Sequence, residues 1–138
     1  RELLNLAINK GDINSYCSLS IAYLEHEPGF FLPIAFTMAN KYDYPQAYFD
    51  VYCAIFDFNG VTSLEDTTDK IDRKSKEIAL DYLIIGAKKG HHQSIEMLLD
   101  DYLNKEDKYN QLLSFNNLKI KHKSYLDSLK NGLIIIKK

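Results

Sequence analysis

Small and apolar residues recur along this chain on one fixed spacing, three times over. Ala7-Ile8 is followed by Gly11, Ser15, Leu19 and Tyr23; Ala39-Asn40 by Asp43, Ala47, Val51 and Ile55; Gly86-Ala87 by Gly90, Ser94, Leu98 and Tyr102. A small pair, a turn residue and then apolar positions four apart describe two helices joined by a tight turn. A helix pair cannot bury its own apolar face, so repeated pairs stack on their neighbours. The pattern predicts an all-α fold, an α/α superhelical repeat array of three helix pairs.

Flanking residues set the elements. Leu3, Leu4, Ala7 and Ile8 form a helical stripe closed by Gly11, and Asn14 or Ser15 is placed to cap the next helix. That helix carries Tyr16, Leu19, Ile21, Tyr23 and Leu24 as far as the Glu27-Pro28-Gly29 break. The third helix covers residues 30–41, with Pro33 in the first turn, where its missing N–H costs nothing. Pro45 opens the fourth, which ends at Asn59-Gly60. Residues 60–73 show no apolar period and read as a long loop. Helix resumes from Lys74 to Gly90 and again from Gln93 to Asn104. Beyond Lys105, the apolar positions Tyr109, Leu112, Leu113, Phe115, Leu118 and Ile120, then Tyr125, Leu126 and Leu129, predict one or two capping helices, stopped by Asn131-Gly132. The chain thus reads as one helical-repeat domain, residues 1–138. Its repeats fall at about 1–27, 28–60 and 74–104, with a C-terminal helical cap over 105–138.

At this point the residues resemble a known family. The segment from Lys76 to His91, with its Ala79, Tyr82, Gly86-Ala87 and Gly90-His91 turn, followed by Ser94, Leu98 and Tyr102, resembles a Sel-one-like repeat, a relative of the tetratricopeptide repeat. The first two units are degenerate versions of it. The resemblance implies an α/α superhelix that mediates protein contacts, with no catalytic residue to carry over. Two departures stand out. Asp43 occupies the glycine position of the middle turn, which predicts a looser turn there, and Asn40 stands where an alanine is expected. Just before the small pair, Leu6, Met38 and Ile85 replace the lysine such repeats often carry. They are either additional core or an apolar strip for a partner.

Net charge is −2 overall, yet residues 1–104 hold 9 basic and 16 acidic groups whereas residues 105–138 hold 8 basic and 3 acidic. An acidic body steers a basic partner and repels nucleic acid. Lys119, Lys121 and Lys123 read as a solvated helix face. Lysine outnumbers arginine 15 to 2, a bias pointing to an AT-rich, bacterial genome. No apolar run approaches the roughly 20 residues that span a bilayer, and the first residues carry no charged segment leading into an apolar one. The expected location is the cytoplasm, or the periplasm where a signal peptide has been removed upstream. Cys17 and Cys53, flanked by apolar periodicity, read as buried thiols.

Candidate chemistry is sparse. His92 and Glu96 have the i, i+4 spacing of metal ligands, but no further ligand lies nearby in sequence and His91 belongs to the repeat turn. His26 and His122 sit in polar surroundings and read as solvated. Asp66, Asp69 and Asp72 lack the alternation and central glycine of a calcium loop. No nucleophile arrangement and no phosphate-cradling glycine loop occurs, so neither an enzyme nor a cofactor is expected. Tyr23, Tyr82 and Tyr102 fall on core positions. Tyr42, Tyr44 and Tyr48 surround the irregular second turn and, with the acidic Asp57, Glu65, Asp66, Asp100 and Asp101, form the expected partner-binding set. The function expected is a non-catalytic protein-interaction module, in its sharpest form a bacterial immunity protein that neutralises a toxin effector. The alternative is an adaptor or scaffold subunit of a signalling or envelope complex.

Overall fold

The computed structural model describes residues 2–22, 31–58, 72–105 and 113–132. Among them the chain is all-helical, with no strand. Helices α1 (Glu2–Lys10) and α2 (Ile13–Ala22), α3 (Leu32–Asn40) and α4 (Pro45–Phe58), and α5 (Arg73–Lys88) and α6 (His92–Met97) make three packed pairs. Two further helices, α7 (Leu113–Lys121) and α8 (Lys123–Lys130), follow, and α7 lies against α5.

The starts of α2, α5 and α6 share one device. Asp12, Asp72 and His91 each cap the helix that follows by accepting the backbone N–H of a serine three residues on, Ser15, Ser75 and Ser94, at 2.9, 2.7 and 3.3 Å. Asp12, not Asn14 or Ser15, therefore caps α2. The helix begins at Ile13, so the residue before it holds the orphan amides of the first turn.

The turns carry the repeat. Gly11, Asp43 and Gly90 all take left-handed backbone, at φ 67°, 53° and 87°. In the first turn Gly11 N–H reaches Ala7 C=O and Asp12 N–H reaches Leu6 C=O; in the second Asp43 and Tyr44 make the same two bonds to Ala39 and Met38. The middle turn is therefore as tight as the first, against expectation. The third turn is the different one, with Gly90 N–H on Ala87 C=O and His91 N–H on Gly86 C=O.

Two apolar clusters make the core. The smaller joins the first two pairs through Ala7, Tyr16, Leu19, Ile34, Met38 and Tyr48; the larger runs from α3 and α4 through α5 to Phe115 and Leu118 of α7 and Leu126 and Leu129 of α8. Phe31 and Tyr82 pack against both. Helix α5 is central, burying Ala79, Leu80, Leu83, Ile84, Gly86 and Ala87. Met38 is fully buried and Ile85, half-buried, packs against the same cluster, so these two supply packing, while Leu6 is half-buried.

The sixth helix departs from expectation. Its α-helical winding stops at Met97, a wide π turn covers Leu98–Tyr102, and a short 3₁₀ turn covers Leu103–Lys105. Leu103 N–H reaches back five residues to Leu98 C=O. The wider turn brings Leu98, Tyr102 and Leu103 together into the core, at 0%, 1% and 3% exposure, and leaves Asp100 and Asp101 outside.

Candidate functional site

The second turn is built outward from Asp43. Left-handed backbone points its carboxylate along the turn edge, where Oδ1 accepts the Tyr48 hydroxyl at 2.6 Å and Oδ2 meets Lys89 Nζ at 2.9 Å. The Tyr48 bond, aided by Lys89, holds the Asp43 carboxyl below the usual carboxylate range. Lys89 Nζ also stands 5.8 Å over the Tyr48 ring. Burial, then Asp43, pushes Tyr48 up to about 12.

Tyr42 and Tyr44 reach the other way, to the first pair. The Tyr42 ring lies under Gly11, where a Cβ would stand 2.5 Å from Cδ1, and its hydroxyl donates to Ile8 C=O at 2.6 Å. Tyr44 meets the Tyr16 ring edge-on at 5.7 Å, and its hydroxyl lies 4.0 Å from Cys17 Sγ. All three tyrosines of the expected set are thus engaged within the chain, Tyr48 buried and Tyr42 and Tyr44 half-buried. Cys17 and Cys53, expected as buried thiols, are both half-buried.

Beside them lies a carboxylate that the sequence reading did not single out. Asp50 accepts the hydroxyl of the fully buried Tyr16 at 2.6 Å, a bond from α2 to α4. Burial raises Asp50 to about 6 against the opposing pull of the Tyr16 bond, and burial together with Asp50 drives Tyr16 well above the ordinary phenol range. The signal was present: Asp50 is the single charge in residues 45–56.

The acidic positions divide. Asp100 and Asp101 are exposed on the π turn. Glu65 and Asp66, with Asp69, Tyr23 and His26, lie outside the described residues, as does the side chain of Asp57.

The described histidines, His91, His92 and His122, are each engaged within the chain. His91 Nδ1 stands 2.8 Å from Ser94 Oγ and its ring packs 5.3 Å from Phe49; burial, then His92, lowers its pKa. His92 Nε2 meets Glu96 at 2.7 Å, and among the described residues no group of three or more His, Cys, Asp or Glu side chains is arranged to hold a metal. His122, expected to be solvated, is 7% exposed, with Nε2 on Asp81 Oδ1 at 2.7 Å. The reason is its place between α7 and α8, where it turns in toward α5. Lys121 joins the same carboxylate at 3.1 Å, Lys123 pairs with Asp127 at 2.7 Å and Lys119 lies over Phe115. Among the described residues no helix is long and apolar enough to cross a membrane.

Compared with known proteins, the chain matches no family model, no curated protein and no solved structure.

Proposed function

We propose that this chain is a non-catalytic protein-binding module built as a Sel-one-like superhelical repeat array, and that its partner is a basic protein. The sharpest form of the proposal is a bacterial immunity protein that binds and neutralises a toxin effector.

The observation that carries the array is the recurrence of contacts between pairs at equivalent register. The residue after the turn of one pair meets the residue six beyond the turn of the pair before it: Tyr44 on Cys17, then His91 on Phe49. The residue before the turn likewise lies against the turn residue of the preceding pair: the Tyr42 ring under Gly11, then Lys89 on Asp43. A stack of equivalent pairs exposes long surfaces and is suited to holding another protein. The excess of acid over residues 1–104, with Asp100 and Asp101 exposed on the third pair, supports a basic partner whose encounter is fastest at low salt.

The test is affinity capture from the native host with the full chain and with a D100K/D101K variant, at low and high salt. The expected result is one stoichiometric basic protein, lost at high salt and captured poorly by the variant. A retained signalling or envelope subunit assigns the adaptor role instead. Recovery of no protein at low salt overturns the binding-module reading.

A further inference from the structure

The junction between the first two helix pairs is fastened by a bond between a phenol and a carboxylate. Tyr16 has no exposed surface, stacks on Phe31 at 5.1 Å and lies T-shaped to Tyr44, so its hydroxyl is fixed in direction. That hydroxyl donates to Asp50 Oδ2 at 2.6 Å. The titratable groups facing Asp50 are Tyr16 from α2 and Tyr44 from the turn ahead of α4. No lysine, arginine or histidine among the described residues pairs with it. Asp50 itself is half-buried; when ionised it is a partly desolvated charge beside aromatic rings, where burial disfavours the charged form and the Tyr16 bond offsets part of that cost.

We propose that Asp50 is a proton-operated latch on this junction. Protonated, it sits in the Tyr16 bond at no charge cost and seats α1 and α2 firmly on α4. Ionised, it loosens that seat, and the first pair opens more readily.

The direction follows from linkage. Asp50 stands at about 6 in the folded chain against an ordinary 3.8. Its favourable contribution is full below the ordinary value and is lost as pH rises through about 6. The Tyr16 hydrogen bond opposes the rise, so removing the hydroxyl shifts the transition to still higher pH.

The experiment is amide hydrogen exchange of α1 and α2, corrected for intrinsic exchange chemistry, in the full chain and in Asp50→Asn and Tyr16→Phe variants. Carboxyl-carbon NMR of Asp50 accompanies it. From about pH 4 to about pH 7 the opening equilibrium of the unaltered chain rises roughly fiftyfold, and that of Asp50→Asn stays level. Tyr16→Phe moves the midpoint upward. The same pH dependence in Asp50→Asn as in the unaltered chain overturns the latch. So does an Asp50 carboxyl titrating at its ordinary position, a readout that stands even where Tyr16→Phe fails to fold.

Discussion

Asp43 holds left-handed backbone at φ 53° in the register where Gly11 holds it at 67°, and closes its turn with the same two backbone hydrogen bonds. A side chain in this region costs about 1–2 kcal/mol, less for aspartate and asparagine. Asp43 offsets that cost by accepting Tyr48 and Lys89. Replacement by asparagine keeps the backbone tolerance and an acceptor for Tyr48, and loses only a pair with an exposed carboxylate. It is expected to leave the urea unfolding midpoint nearly unchanged. Alanine loses the acceptor and keeps the strain, for about 2 kcal/mol, and glycine falls between. Alanine proving as benign as asparagine would remove the turn from the explanation of this junction.

Gly11 and Gly90 share a backbone conformation but not surroundings. A Cβ on Gly11 would stand 2.5 Å from the Tyr42 ring, itself tied to Ile8 C=O, whereas a Cβ on Gly90 meets nothing within 4 Å. Gly90→Ala is expected to cost about 1 kcal/mol from backbone strain alone. Gly11→Ala adds overpacking and is expected to cost about 3 kcal/mol. Thermal unfolding of the two variants side by side checks the order. Equal losses would mean that the Tyr42 ring yields.

The pairs and their turns were legible because small residues, turn residues and four-residue steps are local signals. What stayed hidden depends on partners distant in sequence or on a shift of winding. Asp50 was masked because its bond goes to Tyr16 on another helix pair. The π turn was masked because Leu98 and Tyr102 sit four apart, as in an ordinary α-helix, and only the burial of Leu103 separates the two windings. Between Lys121 and Lys123, His122 looked solvated, but the chain changes helix there, so its neighbours do not report its face. The surroundings of the residues expected to meet a partner were only partly legible. The exposed acids Asp100 and Asp101 lie on the surface, whereas the aromatic richness of Tyr42, Tyr44 and Tyr48 expressed packing between pairs.

The C-terminal helices are fastened at Asp81. Its two oxygens take buried His122 at 2.7 Å and exposed Lys121 at 3.1 Å, and His122 Nδ1 has no partner. Removing the carboxylate leaves a buried imidazole without its one bond. Asp81→Ala is expected to cost about 2 kcal/mol, and Lys121→Ala about 0.5 kcal/mol or less. Amide exchange should locate the Asp81→Ala loss in α7 and α8. Comparable losses from the two variants would show that the surface pair, and not the imidazole, holds these helices.

Gly86 offers a case where repeat logic and packing disagree. Its register partners are Ala7 and Ala39, and alanine in a helix interior is favoured over glycine by about 1 kcal/mol, so the sequence pattern alone recommends Gly86→Ala. At that position, however, a Cβ would stand 2.9 Å from Ser94 Oγ, 3.2 Å from Tyr48 Cβ and 3.5 Å from Pro45 C=O. Ser94 is fully buried and its hydroxyl is held by His91 Nδ1 at 2.8 Å, so it has no room to withdraw without loosening the start of α6. Overpacking of this kind costs about 1–3 kcal/mol, and the expected net effect is a loss of about 1 kcal/mol. Ser94→Ala removes the obstructing oxygen while Ser94 N–H can still reach His91 Nδ1. In a double-mutant cycle measured by urea unfolding, Gly86→Ala should therefore be less costly in the Ser94→Ala background than alone, by about 1 kcal/mol. Strict additivity would place the obstruction at Tyr48 and Pro45 instead, on the seam between α4 and α5.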